Sequence, residues 1–286
     1  MKFVFQLKLV INVLILSFFS GATAFANEVI SVVASKFPNA EVLKAAEPIL
    51  KAQGYDLKIE EINSYTGHNI VSPYGKRELN PNLDVINGKY DANFFQPLTY
   101  IQQYNKLNGT DLAVVGKVIY IPFAIYLASD KANGVKSITS FIMKTPGLTI
   151  GVPADYIDQA RALKLLEAYK LIKLTDDEQF PNLANVTANP YKLNIYQADN
   201  SALAGMLRNK GLDLIVMNTG RAYLNNIKLN NLSLVENSPQ DYANVLVTTK
   251  EKSNSPKIIA LFKALQSPEV KKAINSSAGG LIKPAF

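Results

Sequence analysis

Apolar runs of strand length alternate with helical stripes from Val29 almost to the C-terminus, and this alternation restricts the chain to an α/β protein built on mainly parallel sheets. Val29 to Ala34 is nearly continuous in apolar residues, as expected of a strand covered on both faces. Asn39 is placed to cap a helix over Ala40 to Gln53. That helix has Val42, Leu43, Ala46, Ile49 and Leu50 on one face, Pro48 as a kink and Gly54 as the stop. Leu57 to Ile62 alternates like a strand. Ser64 to Asn82, rich in Gly, Pro, Asn and Ser, reads as a loop longer than the roughly 12 to 15 residues usual in compact domains, and such loops tend to carry function.

Two later segments echo each other. Asn82 to Gly88 ends a helix and Tyr90 to Phe95 follows as a strand; Ser201 to Lys210 is a helix stopped at Gly211, and Leu212 to Met217 follows as a strand ending at Asn218. Each unit runs helix, glycine, aspartate where the strand begins, apolar run, polar exit. Unless the likeness is chance, it predicts two lobes of similar build. Ligands of open α/β sheets sit beyond the carboxyl ends of strands, so Phe95-Gln96 and Asn218 become candidates for opposite walls of one cleft.

Between the echoes, Thr149 to Pro153 reads as a strand running into a helix that ends near Leu171, with Arg161 in its first turn. A cation there opposes the helix dipole by about 0.3–1 kcal/mol at an exposed site. A bound carboxylate would reverse the sign, since the helix N-terminus and Arg161 would both attract it. A surface pair with Asp158, three residues earlier, fits equally well.

The chain has 286 residues, no cysteine and a single histidine, His68. Thiolate metal sites, iron–sulfur clusters, disulfides and cysteine nucleophiles are excluded, as is a three-histidine zinc site. The formal charge of +7 is spread out: the closest basic neighbours are pairs such as Lys76-Arg77 and Lys271-Lys272, not the stripe that nucleic acid requires. Gly109 to Lys117 ends in Gly-Lys, but six residues separate the glycines and Val118 follows, so it is no phosphate loop. Gly-x-Gly-x-x-Gly, Gly-x-Ser-x-Gly and Ser-x-x-Lys are absent. No cofactor or metal is expected, and no catalytic residue.

Lys2 and Lys8, an eleven-residue apolar run from Leu9 to Phe19 and the small residues around Ala24-Phe25-Ala26 have the layout of a secretory leader, with cleavage before Asn27 leaving 260 residues. The apolar run is short of the ~20 residues that cross a bilayer. With no cysteine to carry a lipid, retention by the cell requires a second barrier, so a Gram-negative periplasm is the expected location.

At Asp91-Ala92-Asn93-Phe94-Phe95-Gln96, with Tyr100 following, the sequence resembles the NlpA-type family of ABC-importer substrate-binding proteins, the methionine-binding lipoproteins. The likeness continues through Gly151-Val152-Pro153 with Arg161, Ile215 to Thr219, Gln266 to Val270 and Gly279-Gly280, over nearly all of the chain after the leader. It implies a two-lobed periplasmic-binding fold, type II-like, with residues 28–120 plus 236–286 in one lobe and 121–235 in the other. It implies binding, not catalysis: an amino acid or short peptide held between the lobes and passed to an inner-membrane permease, by a monomer with no cofactor and no nucleic-acid partner.

By the same resemblance Arg161 grips the ligand carboxylate, Asn218 holds the amino-acid head group, and Tyr65, Phe95 and Tyr100 form an aromatic side-chain pocket. Three departures bear on the ligand. Pro97 stands where the family usually has histidine, Asp158 where it usually has asparagine, and the segment after Tyr65 is extended by about a dozen residues including His68, Tyr74, Lys76 and Arg77. Asp158 would repel an anionic head group and attract an ammonium, which adds it to the ligand-binding set. Other classes stay open at this stage: a sensor presenting its closed form to a membrane receptor, or a secreted enzyme using Tyr, Lys and carboxylates.

Overall fold

The computed structural model describes residues 26–62, 80–176, 178–229, 232–237 and 240–286. Tyr65 and His68, Tyr74, Lys76 and Arg77 of the extended segment lie outside them, as does nearly all of the leader.

The first half of the chain supplies β1 (Glu28–Ser35), α1 (Glu41–Ala52), β2 (Tyr55–Ile62), α2 (Pro81–Ile86), β3 (Ala92–Phe94), α3 (Leu98–Asn108) and β4 (Ala113–Tyr120). Then follow β5 (Phe123–Leu127), α4 (Ile138–Lys144), β6 (Thr149–Pro153), α5 (Tyr156–Ala168), β7 (Lys173–Leu174), β8 (Val186–Ala188), β9 (Asn194–Ala198), α6 (Asn200–Arg208), β10 (Leu214–Asn218), α7 (Thr219–Leu224) and β11 (Leu234–Val235). The chain closes with β12 (Asn244–Thr248), α8 (Pro256–Leu265), α9 (Pro268–Ser276) and β13 (Lys283–Pro284).

The strands make two main sheets, in the orders β13-β4-β12-β3-β1-β2 and β11-β5-β10-β6-β9, with β7 and β8 as a separate antiparallel pair. Each main sheet has a parallel core of three strands, β3-β1-β2 in one and β10-β6-β9 in the other, extended on one side by antiparallel strands. The architecture is mixed α/β, as the alternation predicts.

The apolar residues of β1 are buried from Ile30 onward, in one core with Val42, Leu43, Ala46 and Leu50 of α1 and residues of α8 and α9; burial of each such leucine contributes about 1.5–3 kcal/mol. The second sheet has its own cores, one on each face. Two glycines permit close approach of a helix to a strand. A β-carbon on Gly116 would lie 2.1 Å from the Phe262 ring, and one on Gly151 would lie 2.6 Å from Leu203.

Two local expectations are corrected. Asn39 does not cap α1: its side chain is buried and its Oδ1 accepts from Ser35 Oγ at 2.8 Å, and Ala40, the residue before α1, is already in the helical region. Of the Ser64–Asn82 segment expected as a loop, residues 64–79 lie outside the described residues, and its end is the start of α2, where Asn80 Oδ1 caps by accepting from the Leu83 N–H and Pro81 occupies the first turn.

The sequence echo has a physical basis. β3 and β10 hold the same place in their parallel triplets, beside β1 and β6. Asp91 Oδ2 accepts from the Ser31 N–H at 2.9 Å, and its own N–H donates to the Ser31 carbonyl. Asp213 repeats this on the second sheet, with Oδ2 accepting from the Thr149 N–H at 2.8 Å and its N–H donating to the Thr149 carbonyl. Each aspartate thus closes the end of the neighbouring strand's ladder, and each carries lysine: Lys257 at 2.8 Å and Lys252 at 3.3 Å from Asp91, Lys131 at 3.3 Å from Asp213.

Burial opposes ionisation of Asp91, but Lys257 and the Ser31 hydrogen bonds outweigh it and hold the carboxyl below its ordinary value of 3.8. Stability from a depressed carboxyl is present at neutral pH and is lost as the pH falls through that depressed value. Asp91→Asn is therefore expected to destabilise the protein by about 1.5–3 kcal/mol in denaturant melts at neutral pH. The gap from wild type should narrow in acid below 3.8. Equal stability at neutral pH would contradict this role.

Candidate functional site

The carboxyl ends of β3 and β10 open onto one small pocket. Phe95, Pro97, Tyr100 and Asn244 line it from the first sheet's side, Asp155, Ile157, Asp158 and Arg161 from α5, Asn218 and Arg221 from the end of β10 and α7, and Ile121 from the connection between β4 and β5. Its free volume is only about 60 Å³, so the walls stand close together. Five of the six residues singled out in the sequence therefore meet here: Phe95, Tyr100, Asp158, Arg161 and Asn218. Tyr65, the sixth, lies outside the described residues.

On one wall the Phe95 and Tyr100 rings meet edge to face at 6.3 Å, an arrangement that favours an apolar guest. Burial pushes the Tyr100 hydroxyl well above its ordinary value, so it stays a neutral donor. The polar residues of the Asp-Ala-Asn-Phe-Phe-Gln segment face away from this wall. Gln96 Nε2 donates to Asn82 Oδ1 at 2.6 Å and to Asn93 Oδ1 at 2.9 Å, Asn82 Nδ2 donates to Gln96 Oε1 at 3.0 Å, and Asn93 Nδ2 donates to Asn82 Oδ1 at 2.9 Å. All three amides are buried. This closed network anchors the backbone that presents Phe95, and Gln96 is therefore a support, not a cleft wall.

On the opposite wall, Asn218 ends β10 and caps α7, its Oδ1 accepting from the N–H groups of Gly220 and Arg221 at 2.9 and 3.2 Å. The cap fixes the amide at the mouth of the pocket. Asp155 caps α5 in the same manner, its Oδ1 accepting from Ile157 and Asp158. Asp158 is partly buried beside it. Desolvation, then the charge of Asp155, raise the Asp158 carboxyl above its ordinary 3.8, against the pull of Arg221, Arg161 and a hydrogen bond with Asn200. An ammonium arriving here would relieve the repulsion between the two acids.

Arg161 is neither an exposed residue nor the partner of Asp158; it is 4% exposed. Its Nε donates to Glu236 Oε1 and Oε2 at 2.9 and 3.0 Å, and its Nη2 donates to Glu236 Oε2 at 2.6 Å and to the Ile121 carbonyl at 2.9 Å. The rings of Phe123, Tyr242 and Tyr120 surround the guanidinium at 4.4, 4.6 and 5.4 Å. Burial works against its charge, and Glu236 more than compensates. The Tyr120 hydroxyl also favours the charge, and Arg161 is part of the pocket lining.

Sequence reasoning missed Asn244, Arg221, Asp155 and Glu236. Arg221 follows Asn218 by three residues, one helical turn on, and Asp155 stands three residues before Asp158, so helical spacing around the chosen residues would have reached both. Asn244 opens β12, and its Nδ2 lies 3.4 Å from Asn39 Oδ1, in a register that periodicity does not reveal. Among the described residues no group of His, Asp or Glu is arranged to hold a metal ion.

The methionine-binding lipoprotein MetQ of Bacillus subtilis is 30% identical over 271 residues, covering 93% of this chain and 90% of its own length. A periplasmic ABC-transporter substrate-binding protein from Coxiella burnetii superposes with a TM-score of 0.73 at 27% identity, covering 89% of this chain and 99% of its own. A nutrient-binding protein from Burkholderia cenocepacia, solved bound to methionine, superposes with a TM-score of 0.74 at 26% identity, covering 90% of this chain and all of its own. A profile of the NlpA lipoprotein family matches residues 30–286, from the core of β1 to the last residue, and so spans both sheets and every wall of the pocket: the chain belongs to the NlpA lipoprotein family.

Proposed function

We propose that this protein is the substrate-binding component of an ABC importer and carries an amino acid or short peptide with an apolar side chain to a membrane permease. It is a binding protein, not an enzyme. The observation that carries this reading is the pocket where both parallel triplets end, with aromatic rings on one wall and opposite charges on the other. The rings would take the side chain, Asp158 the ammonium, and Asn218 with Arg161 the carboxylate. The two sheets are then two lobes, residues 28–120 plus 236–286 and residues 121–235, that part to admit the ligand. Such a pocket needs no cofactor.

Among similar proteins, the Bacillus subtilis relative is named for methionine and the Burkholderia protein holds it, which supports an amino-acid ligand here. Asp158 and Pro97 alter the charge and the backbone donors beside the head group, favouring a ligand other than free L-methionine: a different apolar amino acid or a dipeptide with a displaced ammonium.

Relatives are named lipoproteins, but lipid attachment through a thioether needs a cysteine and this chain has none. We therefore read it as released into the periplasm after cleavage behind Ala26. The intact mass of secreted protein should match residues 27–286; a mass retaining the leader, or a salt-resistant membrane pool, would contradict this.

The charges facing Asp158 are Asp155 and Arg161 of its own helix and Arg221 of α7. If ionised Asp158 holds the ammonium, affinity measured by calorimetry should fall as the pH drops toward 3.8 through the raised value of this carboxyl. Asp158→Asn should flatten that dependence and weaken binding about tenfold or more, an ion-assisted hydrogen bond being worth ~1.5–3 kcal/mol. The same substitution should stabilise the empty protein at neutral pH, because an acid whose folded value is raised loses stability as the pH rises past its unfolded value. Unchanged affinity and pH profile would remove Asp158 from the site. L-Methionine outcompeting every other amino acid and dipeptide would overturn the ligand preference.

A further inference from the structure

The Arg161–Glu236 pair joins more than two side chains. The two sheets are connected by two stretches of chain, one between β4 and β5 at Ile121-Pro122, the other between β11 and β12, beginning at Glu236. Glu236 Oε2 accepts from the Tyr120 hydroxyl at 2.5 Å and from the Phe123 N–H at 3.0 Å, the residues on either side of the first connection. The Glu236 N–H donates to the Phe123 carbonyl at 2.8 Å, and Arg161 Nη2 donates to the Ile121 carbonyl. One buried carboxylate and one buried guanidinium, at 8% and 5% side-chain exposure, therefore hold both connections to each other and to α5. Tyr120 and Phe123 from the first connection and Tyr242 from the second pack around the guanidinium.

Binding a ligand requires none of these contacts in itself. A surface pair would serve to orient an arginine; here the acid is placed where every other acceptor bond goes to the backbone or a hydroxyl of the connecting segments.

We infer that Glu236 is a positioning residue that clamps the two connections between the sheets and so sets their relative angle, while holding Arg161 in the wall of the ligand pocket. The second part rests on the function proposed above; the first does not. Removing the charge of Glu236 should loosen the angle between the sheets even with no ligand present. A guanidinium left without its carboxylate would also turn from the pocket toward another acceptor.

The chain has no cysteine, so two introduced ones are the sole labelling sites. Lys51→Cys in α1 and Lys144→Cys in α4 are exposed, one on each sheet's side. Pulsed electron spin resonance between spin labels at these sites, without ligand, should give one narrow distance distribution for the otherwise wild-type protein. Glu236→Gln, which keeps the shape and removes the charge, should replace it by a broad one shifted to longer distances. Tyr120→Phe removes a single bond to Glu236 and should broaden the distribution less, and it serves where Glu236→Gln does not fold. Calorimetry with apolar amino acids and dipeptides should show about a tenfold loss of affinity in Glu236→Gln. Unchanged distributions in both variants would overturn the clamp. Broadening with unchanged affinity would overturn only the orienting of Arg161. Broadening in a protein that binds none of these compounds would uphold the clamp and defeat the proposed ligand class.

Discussion

Arg161 and Glu236 have both been taken almost completely out of water, and neither charge could remain there alone. The effective penalty is several kcal/mol per ion, recovered only when geometry is close and the remaining hydrogen-bonding capacity is met. Both conditions hold: the pair is doubly bonded, and its spare capacity goes to the Ile121 carbonyl, the Phe123 N–H and the Tyr120 hydroxyl. Because those groups belong to the segments joining the two sheets, satisfying one buried charge fixes how the halves of the molecule meet. The pocket sits against this junction, with Ile121 and Arg161 in its wall.

The two halves repeat one construction. An aspartate at the start of the third strand ties down the first strand's backbone, and the strand then delivers its last residues to the cleft. On the first sheet the exit is apolar, with Phe95 backed by the buried Asn82–Asn93–Gln96 amides; on the second it is polar, with Asn218 held by its role as a helix cap. The rigid backing is what makes either exit useful, since a site held by packed and fully bonded neighbours presents its groups with little loss of freedom on binding. The halves also meet directly where Phe37 stacks on Tyr223 at 5.4 Å, beside Gly220.

Alternating periodicity made the fold class legible, and the helix–glycine–aspartate–strand echo located both exits, because strand order and strand ends follow from local signals. The same signals misled at Asn39, whose side chain is drawn into a buried contact with Ser35 and lost to capping, and at Gln96, where a polar residue next to a strand end turned inward to its own network. Glu236 was not legible at all: it meets Arg161 across 75 residues through tertiary structure, and no spacing rule pairs them. The paired readings of Arg161, as a ligand grip or as a surface partner of Asp158, both lacked that residue. Its burial and its bonds to Glu236 exclude the second.

On the proposed function, the cleft lined by aromatic rings, two caps and a partly buried aspartate holds one small zwitterion without changing it. Protein purified natively from its own host and then denatured should release a stoichiometric small molecule, identified by mass spectrometry as an amino acid or short peptide with a free ammonium and an apolar side chain. Release of a compound lacking an ammonium, or release of two fragments of one substrate, would contradict a carrier of this kind.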